Sequence, residues 1–284
     1  MASAYTLLLE DLASQGYIVL SIVHPFEASA ASMTDGTVVT PVNERGGLLP
    51  EVAGILREWA AEDVVLGRVT ASDDRETQLR ILRPYLASMP KTNAALNRWI
   101  ADTKAVLDQL KSLPADSPAG RVAAKADLTR LGVFGHAFGG IVAGQFCIED
   151  SRCRAGLNLD GSPQYGTMID KPLTRPFLMV YSDREGRAKS SDAIYERSAS
   201  TYYRAEVDGT LLPDFTDMPF WRGPVLAQGI FGPIAPQTAL DITRRITREF
   251  FDQELLGRPS NLLAGKQKWA WEQVSVEVHR PERK

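Results

Sequence analysis

Hydrophobic positions along the chain alternate between helical spacing and short, continuous apolar runs. Residues 5–14 carry four leucines at helical spacing, and the pair Gln15-Gly16 ends that helix. Residues 17–23 then form an apolar run rich in β-branched side chains. A helix that leads through a tight turn into such a run is typical of a strand buried in a parallel sheet.

The same alternation continues to the end of the chain. It predicts strands at residues 128–134, 154–159, 176–181 and 201–207, and helices that end at Ile148 and span 236–256. Between about 49 and 113, three helical patterns follow one another, and we expect this insertion to act as a lid or a pocket wall. The pattern predicts a single α/β domain over residues 1–284, with a mostly parallel sheet flanked by helices.

Composition narrows the classes of partner. The chain has 284 residues, 44% of them apolar, and a formal charge of −3 with acidic and basic residues mixed throughout. No basic stripe is present to neutralise phosphates, so nucleic acid is not expected as a partner. No apolar run is long enough for a membrane span, and the first residues lack a signal-peptide pattern, so we expect a cytoplasmic protein. In that compartment Cys147 and Cys153 are expected to be reduced thiols.

The segment GHAFGG, residues 135–140, has the pattern of a nucleophile elbow. A strand, a tight turn flanked by glycines and a helix follow one another, and the glycines let strand and helix approach without a Cβ clash. In the G-x-S-x-G pattern the central residue is serine, whereas here it is Ala137. The alternative interpretation is a plain glycine-rich turn between strand and helix.

Polar residues follow the predicted strands at their carboxyl ends. Asp160 follows the strand at 154–159, and Asp183 follows the strand at 176–181. Because ligands bind outside the carboxyl ends of parallel strands, we expect Ala137, Asp160, Asp183 and the loop after Val207 to converge. The alternative for Asp183 is a turn or helix-capping residue.

Four segments together resemble one known family. They are SAYTLLLEDLASQGYIVLSIVHPF, GVFGHAFGG, GLNLDGS and VDGTLLPDFTD, which between them run nearly from end to end of the chain. Each is similar to a segment of the platelet-activating-factor acetylhydrolase-like branch of the α/β hydrolases. The resemblance implies an α/β-hydrolase fold.

Carried over position by position, the resemblance implies a triad that is mostly lost. Asp160 matches the acid of the family, Ala137 stands at the nucleophile and Leu212 stands at the histidine. A methyl group cannot attack a carbonyl, and no imidazole is placed to act as base. We therefore predict that the chain does not hydrolyse esters by the serine mechanism.

The resemblance also implies an N-terminally shortened sheet. Family members carry a further strand, and a His-Gly loop of the oxyanion hole, before the helix at Tyr5. That strand would lie between the run at residues 17–23 and the strand at 128–134, and its absence leaves backbone groups unpaired at about 1–3 kcal/mol for each one that is buried. We expect either that the two flanking strands close up or that a second chain covers the gap in a homodimer.

The histidines and several aromatic and polar residues are further candidates for the site. Three histidines are available: His24 at a strand end, His136 beside the elbow but pointing away from it, and His279 in the polar tail. The residues expected to line the pocket, which could equally serve in ordinary packing, are His24, His136, Phe138, Gln164, Tyr165, Asp183 and Trp221. No clustered metal ligands, P-loop or dinucleotide fingerprint is present, so neither a metal nor a cofactor is expected.

Three functions follow from this pattern. The leading hypothesis is a non-hydrolytic isomerase, cyclase or lyase of secondary metabolism that acts on a lipophilic small molecule, with Asp160 as acid/base or orienting group. The second is a non-catalytic binding module. The third is a serine ester hydrolase inactivated by alanine at residue 137.

Overall fold

A computed structural model describes residues 4–184, 186–187, 189–221 and 229–281 of the chain. Its helices are α1 (Thr6–Ser14), α2 (Pro50–Trp59), α3 (Glu62–Thr70), α4 (Arg75–Ala87), α5 (Pro90–Gln109), α6 (Pro118–Ala123), α7 (Phe138–Glu149), α8 (Asp192–Tyr195) and α9 (Pro236–Leu256). Its strands are β1 (Ala31–Ser32), β2 (Val38–Val39), β3 (Leu131–His136), β4 (Cys153–Leu159), β5 (Phe177–Ser182), β6 (Tyr202–Val207) and β7 (Val274–His279).

Five strands form the main sheet, in the order β3-β4-β5-β6-β7. Strands β3 to β6 run parallel, and β7 is antiparallel to β6. The central strand β5 is completely buried, whereas every residue of β3 is partly exposed. The elbow therefore lies at an edge of the described sheet, and the predicted α/β class with a mostly parallel, helix-flanked sheet is confirmed.

Two apolar layers cover the faces of the sheet. One joins β4 and β5 to the insertion helices and α7, and the other joins them to α1 and α9. Helix α9 turns Ile242, Ile246 and Phe250 toward the sheet at a spacing of four residues. It begins at Pro236 and ends before Gly257 in the left-handed region, φ 67°, which is the usual asymmetry of helix ends.

The predicted sheet strand at residues 17–23 is wrong. Residues 18–23 make no backbone hydrogen bond to any described residue, and the side chains of Ile18 and Leu20 are about 40% exposed (39% and 43%). The run follows α1 as expected, but none of the described strands pairs with it. An apolar, β-branched sequence becomes a strand only where another backbone supplies its hydrogen bonds.

The insertion holds four helices, α2 to α5, where the sequence predicts three patterns. Glu58 ties the first and last of them together, because its carboxylate accepts the backbone N–H groups of Lys91 and Thr92 at 2.9 and 2.8 Å. Helix α5 in turn presents Trp99 and Thr103 to a large groove. The insertion thus supplies a wall of that groove.

The C-terminal residues form a strand that the sequence analysis missed. Residues 274–279 pair along the whole of β6, so His279 lies at a strand end and not in a solvated tail. Its ring lies 5.6 Å from that of Tyr202, and its side chain is 38% exposed. The alternation VSVEVH carries a strand signal, but the charged residues that follow it make the segment similar to a solvated tail.

The two cysteines form a disulfide, which corrects the expectation of reduced thiols. Cys147 lies near the end of α7 and Cys153 begins β4, and both are buried. Disulfides persist in oxidising compartments, so the cysteines give no support to a cytoplasmic location. Among the described residues, no helix has the length and apolarity that crossing a membrane requires.

Candidate active site

The elbow at Ala137 has a constrained backbone. Ala137 takes φ 51° and ψ −125°, a conformation that L-residues rarely adopt. A Cβ added at Gly135 would come within 2.3 Å of the Gly139 carbonyl carbon, and one added at Gly140 within 2.0 Å of Asn158 Oδ1. Gly135 and Gly140 are therefore required by the close packing of α7 against β3 and against Asn158 of β4, whereas nothing lies within 4 Å of a Cβ built at Gly139, so the predicted clash is absent there. The elbow geometry persists without a nucleophile.

Hydrogen bonds join the carboxyl ends of the parallel strands side by side. Ala137 donates its N–H to the Leu159 carbonyl at 2.9 Å, and Asp160 donates its own to Val180 at 2.8 Å. Asp183 continues the series with a bond to the Thr210 carbonyl at 3.0 Å. The predicted convergence of these strand ends is present.

Asp160 lies next to the elbow but is not on the groove wall. The residue is 7% exposed, and its Oδ1 accepts the Ser182 N–H at 2.9 Å. Burial raises the pKa of Asp160 to about 6, against the opposing effect of the Ser182 bond. The carboxyl therefore changes charge close to neutrality, a range that suits acid/base chemistry.

His136 is fixed from both sides by hydrogen bonds. Its Nε2 lies 2.8 Å from the Leu212 carbonyl oxygen, which can only accept, so Nε2 carries the proton. Nδ1 then accepts the hydroxyl hydrogen of Tyr5, also at 2.8 Å. Burial lowers the pKa of His136 to about 4, so the imidazole is neutral. It joins α1, β3 and the turn at Leu212, which is a structural role.

Leu212, at the predicted base position, begins the 3₁₀ turn Leu212–Phe215. The turn is held by Asp214, whose Oδ2 accepts the N–H groups of Leu211 and Gly232 at 2.8 and 2.7 Å. Leu212 contributes its backbone carbonyl to His136, and a leucine side chain has no proton to exchange. The position supplies no general base.

A long apolar groove runs beside the edge strand. Its volume is about 940 Å³, and its walls include residues 17–24, β3, the start of α7 and part of α5. We call the end of the groove next to the elbow the mouth, formed by His24, Trp99, Ala137 and Phe138. The part between residues 18–23 and Leu131 to Gly135 we call the slot. The volume of the whole groove is near the top of the range for ligand sites, so the groove can hold a lipophilic molecule.

A histidine–carboxylate pair lies at the mouth. His24 Nδ1 is 2.7 Å from Asp102 Oδ2, and the imidazole stacks on Trp99 with ring centroids 3.9 Å apart. Because a carboxylate accepts, Nδ1 donates, which leaves Nε2 of the neutral ring as an acceptor. Burial lowers the pKa of His24, and Asp102 opposes this effect. Trp99 in turn meets Phe138 edge-on at 5.1 Å.

Sequence reasoning proposed His24 but missed Asp102. The two residues are 78 positions apart, and Asp102 lies on an insertion helix with no motif around it. Helical spacing does place Asp102 three residues after Trp99, so that both can face one partner. Nothing in the sequence identifies that partner as His24.

Four other predicted pocket residues lie away from the groove. Gln164 and Tyr165 are in the core, where Tyr195 donates to Gln164 and Tyr165 donates to Glu62 at 2.5 Å. Asp183 is exposed and accepts the Gly209 N–H, which is the contact of a turn residue. Trp221 follows a short 3₁₀ turn at the limit of the described residues. Buried polar groups must be paired, and internal partners satisfy the first two.

No group of three or more metal-ligating side chains occurs among the residues that the structure describes. The neighbouring carboxylates of Glu62 and Asp63 form ion pairs with the Arg187 guanidinium, at 2.6 and 2.9 Å. Neither carboxylate belongs to the mouth of the groove. At the mouth the groove wall carries His24, whose Nδ1 is held by Asp102, and Glu27, whose carboxylate accepts the indole N–H of Trp99.

Residues 2–268 match the family described as Platelet-activating factor acetylhydrolase, isoform II. The platelet-activating factor acetylhydrolase of Cavia porcellus is 24% identical over 272 residues, which cover 91% of this chain and 56% of that protein. The one from Gallus gallus is 22% identical over 262 residues, or 88% and 58% of the two chains. The chain spans less than three fifths of the length of these relatives.

A solved structure gives the same fold. The ferulic acid esterase from Streptomyces cinnamoneus aligns with a TM-score of 0.67 over 96% of this chain and 69% of its own, at 24% identity. Its likeness concerns the arrangement of sheet and helices, while the family match takes in almost every described element. The chain therefore belongs to the platelet-activating factor acetylhydrolase, isoform II, family, with an α/β-hydrolase fold.

Proposed function

We propose that this chain is a non-hydrolytic member of its family that binds a lipophilic small molecule at the mouth and isomerises, cyclises or cleaves it by elimination. One observation carries the proposal: the residue at the elbow, where a nucleophile would face the ligand, is the methyl group of Ala137 on an apolar groove. The elbow turn around it keeps its constrained backbone and its close packing. A site that has lost its nucleophile but kept its pocket can still orient a reactive molecule.

The acid/base group of the proposed reaction is His24. Its Nδ1 is held by Asp102, so Nε2 can accept a proton from a bound molecule while the carboxylate stabilises the imidazolium that forms. Its neutral state favours a basic role. Removal of a proton by His24 Nε2 at one carbon and its return at another is sufficient for isomerisation. In an elimination the bond between carbon and the leaving group breaks as the double bond forms, and the leaving group departs with the proton that His24 took up. Neither reaction requires an acyl intermediate.

Asp160 is the second candidate for this role. Its pKa of about 6 suits proton transfer, and it follows directly on Leu159, which lines the groove. Oδ1 of Asp160 already accepts the Ser182 N–H. We therefore assign Asp160 a structural role, which is to hold the carboxyl ends of β4 and β5 together next to the elbow. His24 is preferred because it is itself on the groove wall.

Backbone groups at the elbow complete the site. The N–H groups of Phe138 and Gly139 begin α7 and have no backbone acceptor among the described residues. At a helix N-terminus such groups stabilise negative charge on an oxygen. In the proposed reaction they would bind a ligand carbonyl whose oxygen becomes negative when His24 removes a neighbouring proton.

The first prediction concerns hydrolysis. Wild-type protein and the variant Ala137→Ser are both expected to leave p-nitrophenyl butyrate uncleaved above background and to take up no fluorophosphonate probe. A serine at residue 137 has no imidazole at the family's base position, because Leu212 offers only its carbonyl there and both ring nitrogens of His136 are bonded. The other imidazole of the mouth, His24, is held by Asp102 and Trp99, and we expect it to serve the bound molecule and not a serine at residue 137. The measurements are ester absorbance assays and intact-protein mass spectrometry. Labelling of the wild type would contradict the proposal.

The second prediction concerns the ligand site. Wild-type protein is expected to bind the fluorescent lipid cis-parinaric acid, and Gly139→Leu is expected to weaken binding at least about tenfold, or about 1.4 kcal/mol. Gly139 lines the groove, and nothing lies within 4 Å of a Cβ built there, so the leucine enters open space at the mouth. Fluorescence titration gives the affinity.

Gly67→Leu is the matched control for this titration. Gly67 is also helical, has nothing within 4 Å of an added Cβ and is not on the groove wall. Its affinity for the probe is expected to equal that of wild type. Equal binding by both variants would remove the mouth as the ligand site.

The backbone conformation of Ala137 favours an inactivated ester hydrolase as the alternative function. The constrained φ of Ala137 is kept, and strain of this kind is usually retained where a catalytic side chain needs it. An inactivated ester hydrolase would keep it, and would recover labelling by the fluorophosphonate when Ala137 is replaced by serine. A non-catalytic binding module would instead bind cis-parinaric acid and return every bound molecule unchanged.

A further inference from the structure

Two residues of one turn contact the same tryptophan ring at the mouth. His24 stacks on the indole of Trp99, with ring centroids 3.9 Å apart and the two planes 12° from parallel. Glu27 accepts the indole N–H with its Oε2. His24 and Glu27 are three positions apart in the chain, so one short segment contacts both the face and the edge of Trp99.

The backbone of this turn brings both side chains to Trp99. The His24 carbonyl accepts the Ala28 N–H at 2.9 Å, which closes the turn. Within it Phe26 takes φ 67°, in the left-handed region that favours glycine, although its side chain is half exposed. A bulky residue keeps such a conformation only where its surroundings require it. Here the conformation accompanies the contacts of His24 and Glu27 with Trp99.

Glu27 is the buried end of a row of charged side chains. Its side chain is 13% exposed, and its Oε1 accepts the Arg98 Nε–H at 3.0 Å. The Arg98 side chain is 45% exposed and also lies 3.7 Å from Glu51, which is 44% exposed. Water screens the two exposed charges, whereas the Glu27 carboxylate lies against the indole with little solvent around it. The charge that acts on the ring of Trp99 is therefore mainly that of Glu27.

A carboxylate on the indole N–H changes the ring on which His24 stacks. Accepting that hydrogen polarises the indole and makes its face more negative. A cation over the face of a tryptophan is attracted by this negative charge, and more strongly where the pair is shielded from water. In the proposed reaction His24 becomes a cation when it takes up a proton. Trp99 then stabilises the protonated ring, and Glu27 strengthens this effect.

The surroundings of His24 show which charges act on it. Asp102 on α5 binds Nδ1, and residues 131–139 of β3 and α7 contain no charged side chain, since His136 among them is neutral. Burial lowers the pKa of His24, Asp102 and Glu27 raise it, and the positive chain terminus lowers it further. Glu27 is thus a second carboxylate that favours the imidazolium, and its hydrogen bond goes to the stacked indole.

We propose that Glu27 is a positioning residue for the reaction at the mouth, which acts through the indole of Trp99 to hold His24 in place and to stabilise its protonated ring. The inference deepens the proposed function and rests on His24 as the base. It requires no contact between Glu27 and the bound molecule. Asp102 fixes the edge of the imidazole and the pair of Glu27 and Trp99 fixes its face, so Nε2 is left to the ligand.

The test follows the titration of His24 by nuclear magnetic resonance in Glu27→Gln and Glu51→Gln. The chain has three histidines, and the variant His24→Gln identifies the signals of the one at the mouth. Glu27→Gln keeps an acceptor for the indole N–H but removes the charge, so the acid dissociation constant of the His24 imidazolium is expected to rise at least about threefold. Glu51→Gln removes the same charge from the other side of Arg98 and is expected to change the constant less than about 1.5-fold.

A second pair of variants shows whether the effect passes through the indole. Trp99→Phe keeps a ring on which His24 can stack but has no N–H for Glu27. In that background Glu27→Gln is expected to change the dissociation constant less than about 1.5-fold. The signals of His136, which is fixed by hydrogen bonds on β3, report that each variant remains folded. An equal change with and without the indole N–H would overturn the proposal, because Glu27 would then act through space alone.

The titration needs no substrate, so it separates this inference from the proposed function. Labelling of the wild type by a fluorophosphonate would contradict the proposed reaction without altering the titration of His24. An unchanged titration in Glu27→Gln, or equal changes in Glu27→Gln and Glu51→Gln, would overturn the inference and leave the reaction to His24 and Asp102.

Discussion

Replacing Asp160 with asparagine is expected to stabilise the fold by about 3 kcal/mol above pH 6 and to make no difference below pH 4. The pKa of Asp160 is about 6 in the fold and near 3.8 in the unfolded chain, so the folded state favours the protonated form. Its contribution to stability is complete below the unfolded value and is lost as the pH rises through 6. Asparagine never ionises, and its carbonyl can still accept the Ser182 N–H.

Urea unfolding of wild type and Asp160→Asn from pH 4 to pH 8 checks this expectation. Asp183→Asn is the control, because Asp183 follows the neighbouring strand but is exposed and bonded only through a turn. Its replacement is expected to change the free energy of unfolding by less than about 1 kcal/mol. An Asp160→Asn variant less stable than wild type at pH 8 would show that the carboxylate itself is required by the fold.

Replacing His136 with glutamine is expected to remove about 3 kcal/mol of the acid destabilisation of the protein. The pKa of His136 falls from 6.5 in the unfolded chain to about 4 in the fold, so its contribution to stability is complete above 6.5 and is lost as the pH falls through 4. Protonation places a hydrogen on Nδ1, opposite the Tyr5 hydroxyl that donates to it. Glutamine does not titrate, and its amide can still donate to the Leu212 carbonyl.

The measurement is the difference in unfolding free energy between pH 7 and pH 4. His136→Asn is the matched second variant, since it keeps an acceptor toward Tyr5 but does not reach Leu212. At pH 7 both variants are expected to be about 1–2 kcal/mol less stable than wild type, because each loses one hydrogen bond and some packing. A variant with the same acid dependence as wild type would show that His136 is not the group that titrates.

Asp160 and His136 act in opposite directions across the same pH range. The buried carboxyl favours the fold when the solution is acidic, and the buried imidazole favours it when the solution is neutral. Both lie beside an elbow that has no nucleophile. Between about pH 4 and about pH 6, the pKa values of the two groups in the fold, their effects on the free energy of unfolding are therefore expected to oppose each other.

The local elements were predictable because their signals are local. Pro236 and Gly257 mark the ends of α9, and the apolar spacing between them marks its buried face. Gly135 and Gly140 identify the elbow, because a Cβ at either would clash, at Gly135 with Gly139 of α7 and at Gly140 with Asn158 of β4. The run at residues 17–23 has an equally strong local signal, yet it forms no strand, because a strand requires a neighbouring backbone that no local pattern specifies.

The sequence by itself determined the fold class, the elbow and the loss of the nucleophile at Ala137, since each depends on residue identity within a few positions of the chain. Only the tertiary structure placed Asp102 on His24 and joined Cys147 to Cys153. It also opened a groove between residues 18–23 and β3. These features depend on which distant segments of the chain come into contact. Hydrophobic burial drives the chain to collapse, but because it is non-directional it does not specify which segments pair.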